Sequence, residues 1–285
     1  MEKYINKRFF GERALFTTKG AYIDGCVFED GESPLKESSD LTISDCIFRW
    51  KYPIWYSERV DITRSTLAVT ARSGIWYTKD LTMTDCIVDA PKTFRRCSGI
   101  KLKGVDITNA DETMWSCNDL QLLSVRVVGD YFGMNCNNVE CEDLRVSGNY
   151  LFDGAENVVV RNSRLMSKDA FWNCKNVKVY DSVIVGEYLG WNSENVTFVN
   201  CTIESNQGMC YMDNVKLVNC RLINTDLCFE YSRVDADVAS PIISIKNPKS
   251  GRIRADSIGT IIMEDDRVDT SLTEITEREV EADEV

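Results

Sequence analysis

Hydrophobic and polar positions along the chain alternate in a phrase that recurs about every nineteen residues. The phrase reads Asx-Leu/Val-x-Ile/Val-x-Asx/Ser-Cys/Ser-x-Ile/Val, and its best-aligned copies begin at Asn138, Asn157, Asn176, Asn195 and Asn214. A fixed period of this length indicates one supersecondary unit stacked many times, with each copy burying its apolar face against its neighbours. The 285-residue chain is therefore predicted to form one solenoid domain.

Each copy contains three apolar columns when its first apolar residue is taken as position zero. Positions zero and two are apolar, as in Leu81 and Met83, and positions five and seven repeat the pattern at Cys86 and Val88 after a polar corner. Alternation of this kind predicts strands with one buried face. A third column, six residues before position zero, is never polar and is predicted to be a third inward-facing strand. It holds Leu15, Leu35, Ile54, Ile75, Phe94, Met114, Gly133, Phe152, Phe171, Gly190, Met209 and Cys228.

Three short strands per repeat without a helical period predict an all-β fold, a single-stranded parallel β-helix. We expect about 12 rungs of ~19 residues, and a right-handed coil because parallel crossovers are almost always right-handed. The predicted divisions are an N-terminal cap at 1–11, the β-helix at 12–260 and an acidic C-terminal tail at 261–285. The tail is expected to pack along the rod or to be partly disordered.

Charge and composition narrow the classes of partner. A net charge of −12 disfavours nucleic acid and anionic membrane surfaces, since both require a basic footprint. The N-terminal residues lack the apolar run of a signal peptide, and no stretch is long enough to span a membrane, so the expected location is cytoplasmic.

Nine of the twelve cysteines fall at two fixed repeat positions where other copies carry Ser, Ala, Val, Thr or Leu. Such exchange is typical of small buried side chains and not of a disulfide framework. The sequence contains no Cys-x-x-Cys pair and no histidine, so neither a metal site nor another cofactor is expected.

The position five residues before zero contains five of the six tryptophans. The charged residues Lys36, Arg95 and Asp153 occupy the same column, so the column is predicted to face outward. Exposed aromatic rings in line, flanked by amides and carboxylates, suit contacts with sugar rings and hydroxyls. The predicted glycan-binding residues are Trp55, Tyr56, Trp76, Tyr77, Trp115, Trp172, Asn173, Trp191, Asn192 and Tyr211.

Two other interpretations of this row remain open. The tryptophans can instead be covered by the acidic tail, by the termini or by a second subunit of a homo-oligomeric scaffold. The chain can also be a glycoside hydrolase or lyase, because hydrolysis needs two suitably spaced carboxylates. Asp153 is then the first candidate, with Asp169, Glu187 or Asp130 as its partner. A structural alternative is that Asp153 caps a corner or pairs with Lys168.

Five long phrases of the chain are specific enough to compare with known families. They are Gly31-Glu-Ser-Pro-Leu-Lys-Glu-Ser38, Lys51-Tyr-Pro-Ile-Trp-Tyr56, Ser167-Lys-Asp-Ala-Phe-Trp-Asn173, Gly186-Glu-Tyr-Leu-Gly-Trp-Asn-Ser193 and Asp226-Leu-Cys-Phe-Glu-Tyr-Ser232. With these phrases the chain resembles a bacterial family of unknown function assigned to the pectate-lyase-like β-helix superfamily. The resemblance covers nearly the whole chain and implies a right-handed β-helix of the pectin-lyase-like type. It brings no established activity, so no catalytic residue is carried over from it.

Overall fold

The computed structural model describes residues 1–279 as an all-β parallel solenoid of about 15 turns. Residues 280–285, the end of the predicted acidic tail, lie outside the described part. No helix within residues 1–279 has the length and apolar character needed to cross a membrane.

Two sides of the solenoid are continuous parallel sheets. Side A consists of β1 (Glu2–Ile5), β3 (Lys19–Asp24), β5 (Ser39–Ser44), β8 (Glu58–Thr63), β11 (Lys79–Thr84), β13 (Ser98–Lys103), β15 (Asn118–Leu123), β17 (Asn137–Glu142), β19 (Glu156–Arg161), β21 (Lys175–Tyr180), β23 (Glu194–Val199), β25 (Asp213–Leu222), β26 (Arg233–Val238), β28 (Ser250–Ala255) and β30 (Thr273–Glu277). Side B consists of β2 (Arg8–Phe9), β4 (Val27–Phe28), β6 (Ile47–Phe48), β9 (Thr66–Leu67), β12 (Ile87–Val88), β14 (Asp106–Ile107), β16 (Arg126–Val128), β18 (Arg145–Ser147), β20 (Arg164–Met166), β22 (Val183–Glu187), β24 (Thr202–Asn206) and the end of β25.

The remaining side, side C, is built mainly from turns and carries the aromatic row. Its regular strands are β7 (Ile54–Trp55) paired with β10 (Ile75–Trp76) and, near the C-terminus, β27 (Pro241–Lys246) paired with β29 (Ser257–Ile262). Two short 3-10 helices are Val69–Ala71 and Thr270–Leu272. The predicted third strand therefore forms in few coils. Many corner residues on this side have a left-handed backbone, which breaks a strand.

The core follows the three predicted apolar columns. Parallel register places Val139, Val158 and Val177 directly above one another, and each is fully buried. The column six residues before position zero is also buried throughout, as predicted. All twelve cysteines are buried thiols, in agreement with their interpretation as core side chains. Stacked apolar columns of this kind supply the burial that opposes the entropy of the chain.

The number of turns exceeds the expected 12 because both ends continue the stack. In the predicted N-terminal cap, β1 and β2 pair in register with the next coil. Glu2 occupies the first inward position there and accepts a hydrogen bond from the Tyr4 hydroxyl, so the apolar column ends at this coil. In the predicted tail, β30 pairs with β28 and adds a final strand. Polar residues at the two ends concealed these coils from the periodicity.

Candidate functional site

The row on side C lies outside the core, as the charged members of its column predicted. Trp55, Trp76, Trp115, Trp172 and Trp191 are half-buried, whereas the residue before each is fully or almost fully buried. Trp50, the remaining tryptophan, lies outside the row and is exposed. The row therefore stands on the surface of the rod, with part of each indole covered by neighbouring coils.

Each indole nitrogen in the row donates a hydrogen bond to a corner carbonyl of the next coil. The Nε1–O distances are 2.6 Å from Trp115 to Tyr131, 2.6 Å from Trp172 to Tyr188 and 2.6 Å from Trp191 to Gln207. Trp55 and Trp76 make the same bond to Ser73 and Lys92. The indoles thus connect successive coils, and their nitrogen donors are not available to a ligand.

The indole faces also pack along the rod axis. Trp55 and Trp76 stack at 4.9 Å with an interplanar angle of 7°, and Trp172 and Trp191 stack at 5.8 Å and 10°. A ring stacked on its neighbour presents mainly its edge to solvent. Any ligand that follows this row therefore meets indole edges rather than open indole faces.

The column next to the indoles is more accessible. Tyr56 and Tyr77 stack at 4.6 Å, and Tyr56 is 50% exposed. Asn173 and Asn192 are exposed and linked, because the Asn192 Nδ2 donates to the Asn173 Oδ1 at 2.9 Å. Tyr211 is 45% exposed. These side chains provide the polar groups that the tied indoles cannot.

Arg95 interrupts the row without breaking its stack. Its guanidinium carbon lies 5.1 Å from the Trp76 ring and 4.4 Å from the Trp115 ring, and its Nη2 pairs with the Glu112 Oε2 at 2.8 Å. A cation between two aromatic faces is favourable, since each face carries negative potential. The sequence identified Arg95 as an outward charge but not as a bridge between two indoles.

A second interruption, the acidic break, comprises Met134 and Asp153 in the row together with the corner residue Asp169. In four coils, the corner residue whose carbonyl accepts the indole hydrogen bond lies sixteen positions after the tryptophan. These tryptophans are Trp76, Trp115, Trp172 and Trp191. The same register places Asp153 beside Asp169. Consistently, Asp153 raises the pKa of the Asp169 carboxyl.

Asp169 is 98% buried, since its relative exposure is 2%, and its Oδ1 has no hydrogen-bond partner within residues 1–279. Burial is the main cause that raises its pKa, while Lys168 and Tyr150 act in the opposite direction. Asp153 is half-buried and accepts a hydrogen bond from the Asn173 Nδ2 at 2.8 Å.

Glu187 joins the same group but has its own partner. The Lys168 Nζ lies 3.1 Å from the Glu187 Oε2 and 5.2 Å from the centre of the Tyr188 ring. Lys168 therefore pairs with Glu187 and not with Asp153, contrary to the structural alternative. The structure thus places Glu187, at the end of β22 on side B, next to the corner that carries Asp169, with Asp153 beside it on side C. Within residues 1–279 no group of three or more His, Cys, Asp or Glu is arranged to hold a metal ion.

The family of proteins described as "Protein of unknown function (DUF3737)" matches residues 2–276. The chain belongs to this family. A comparison with curated protein sequences found no match. The family match thus assigns the chain to a family and not to an activity.

Among solved structures, the chain is similar to PfbA, a surface adhesin of Streptococcus pneumoniae. The two share 11% identity with a TM-score of 0.40 over 81% of this chain and 71% of the adhesin. It is also similar to the A-module of the Azotobacter vinelandii mannuronan C-5 epimerase AlgE4. That similarity has 9% identity and a TM-score of 0.31, over 98% of this chain and 88% of the module. At these scores neither similarity carries a functional argument.

Proposed function

We propose that this protein binds a glycan chain lying along side C, parallel to the axis of the rod. The observation that carries the proposal is the row itself, in which five half-buried indoles and their exposed tyrosine and asparagine neighbours share one rigid face. Aromatic groups with polar edges are suited to surfaces that are partly apolar and partly wet, as a sugar chain is. A strongly anionic glycan is disfavoured by the net charge of −12.

The ligand's polar contacts come from the outer column. The indole nitrogens are bonded to backbone carbonyls, so sugar hydroxyls have the phenols of Tyr56, Tyr77 and Tyr211 and the amides of Asn173 and Asn192 as partners. The outer edges of the indoles supply apolar contact beside them. Because the coils are rigidly paired, this surface is preorganised and little ordering entropy is lost on binding.

The test uses a broad array of neutral and cationic oligosaccharides, followed by calorimetry on the best binder. The variants Tyr56→Ala/Tyr77→Ala and Asn173→Ala/Asn192→Ala remove exposed contacts without touching the indole bonds. We expect at least one of these double variants to weaken binding by about tenfold, the equivalent of about 1.4 kcal/mol. Tyr180→Ala is the control, because Tyr180 is a half-buried side-chain on side A, over Arg161.

Absence of binding across the array would overturn the glycan proposal. Equal affinity of wild type and both double variants would place the site elsewhere on the rod. If iodide fails to quench tryptophan fluorescence in a Trp50→Phe variant, which lacks the exposed tryptophan outside the row, and sedimentation shows a stable dimer, the row is an oligomer interface instead. Circular dichroism shows whether each variant is folded, so a loss of binding can be distinguished from a loss of folding.

The acidic break favours a second function, hydrolysis of the bound chain. Two neighbouring carboxyl groups whose environments differ are the usual acid and base of glycoside hydrolysis. In this role Asp169, whose pKa is raised by burial, donates the proton, and Asp153 or Glu187 activates water. Release of new reducing ends from the oligosaccharide that binds best, lost in Asp169→Asn with binding retained, would support it. Binding without any cleavage by wild type would rule it out.

A further inference from the structure

We infer that the acidic break binds a protonated amine of the glycan, so that side C selects chains containing unacetylated amino sugars. This inference rests on the proposed function and names the substrate class of the same site. It is argued from the carboxyl groups of the break, which form no ion pair within residues 1–279, from the register that places them together and from the contrast with the pair of Arg95 and Glu112.

The acidic break and the residues next to it carry more negative than positive charge. Three carboxyl groups, from Asp153, Asp169 and Glu187, lie near one ammonium group, that of Lys168. Lys168 is already paired with Glu187 and lies over the Tyr188 ring. Asp153 has a neutral amide as its partner. The pair Asp153 and Asp169 thus lacks a dedicated cation within residues 1–279.

The buried oxygen of Asp169 is the observation that points to a ligand. Only three buried side-chain nitrogen or oxygen atoms within residues 1–279 have no hydrogen-bond partner, and the Asp169 Oδ1 is the one acceptor among them. An uncompensated buried carboxyl is costly, and a nearby cation relieves much of that cost. A cation bound at half-buried Asp153 would lie beside Asp169 and stabilise its ionised form.

The shape of the row makes room for such a group. Trp115 and Trp172 each place an indole against the corner of the next coil. The two coils between them have Met134 and Asp153 at the same position of the row. The row therefore lacks an indole for two coils where the carboxyl groups of the break lie. A sugar amine can approach there while other sugars of the same chain contact Tyr77 or Tyr211.

The test compares two probes, the β-1,4-linked hexamer of glucosamine and the matching hexamer of N-acetylglucosamine, in mildly acidic buffer at low ionic strength. Wild type is expected to bind the glucosamine hexamer about five- to tenfold more tightly, since a partly buried ion pair outweighs an exposed one. Asp153→Asn should reduce this preference to about onefold, and added salt should reduce it in wild type only.

Asp181→Asn is the matched control. Asp181 also accepts a hydrogen bond from an asparagine one coil away, the Asn200 Nδ2 at 3.0 Å, but it lies at the corner between sides A and B. Its variant should keep the preference of wild type. Equal affinity of wild type for both hexamers, or a preference that persists in Asp153→Asn, would overturn the amine site while leaving glycan binding intact. Binding of neither hexamer also overturns it, and the array then decides the broader proposal.

Discussion

The aromatic row contains two interruptions, one cationic and one anionic, and the chain surrounds them differently. Arg95 lies between two indoles and pairs with Glu112, which also contacts Lys92 at 3.1 Å. Asp153 and Asp169 lie close to each other, and within residues 1–279 neither forms an ion pair and the buried Asp169 Oδ1 has no hydrogen-bond partner. The charge of the first interruption is thus compensated by Glu112, although the Arg95 Nε is also buried without a hydrogen-bond partner in the same residues. The charge of the second interruption has no such paired cation there.

The indoles next to Arg95 make their contacts within the protein, and replacing one of them should cause the largest loss of stability. Trp76→Ala removes a stack on Trp55, a cation–π contact with Arg95 and a hydrogen bond to the Lys92 carbonyl. We expect a loss of about 3 kcal/mol in the free energy of unfolding. Urea unfolding measures it, with Trp50→Ala as the control because Trp50 is exposed outside the row. Equal losses in both variants would contradict a role of the row in coil stacking.

Removal of the guanidinium of Arg95 should cause a smaller loss of stability than removal of an indole. Arg95→Met keeps an apolar stem between Trp76 and Trp115 but removes the guanidinium and its pair with Glu112. The expected loss is about 1–2 kcal/mol by urea unfolding. Arg126→Met is the control, since its pair with Asp106 is exposed and should contribute less than about 1 kcal/mol. A variant as stable as wild type would show that the bridge is incidental.

The acidic break should show itself in the pH dependence of stability. Burial raises the pKa of Asp169 above its ordinary value of 3.8, so the folded protein holds this proton more tightly than the unfolded chain. This contribution to stability is fully present below the unfolded-state pKa and is lost as pH rises through the folded-state pKa. Asp169→Asn carries no charge and avoids that loss.

Urea unfolding across acidic and neutral pH tests this expectation. The stability of Asp169→Asn relative to wild type should increase as pH rises. Carboxyl groups whose pKa is lowered, such as Glu112, are common to both proteins and cancel in the difference. Parallel stability curves for the two proteins would show that Asp169 is not strained by its burial.

Adding an indole to the acidic break should give the smallest change in stability. Met134→Trp would place an indole against Trp115, with the Tyr150 carbonyl at the register that accepts indole bonds in other coils. We expect a gain of about 0.5–1 kcal/mol from one added hydrogen bond and stack. Thermal unfolding measures it. A marked destabilisation would mean that the backbone of the break differs from that of the tryptophan coils.

The periodicity of the chain predicted the coil, its inward columns and the surface position of the row. Val158 and Val160 both point inward because successive side chains of a strand point to opposite faces. The charged residues Arg95 and Asp153 indicated that their column faces outward, because an unpaired charge is excluded from a core. The partners of those charges were not predicted. The pairing of Lys168 with Glu187 instead of Asp153 depends on side-chain direction at a corner, which spacing does not specify.

The sequence by itself determined which residues stack, because a nineteen-residue period brings like positions together in every coil. Only the tertiary structure decided what the stacked residues do. Left-handed corners aim the Tyr131 and Tyr188 carbonyls at indole nitrogens, which turns an apparent ligand surface partly into a structural one. The same corners bury the Asp169 Oδ1, which has no hydrogen-bond partner within residues 1–279. The stacking of the coils follows from the local sequence pattern, whereas the hydrogen-bond partners of a side chain come from adjacent coils and depend on how those coils fold.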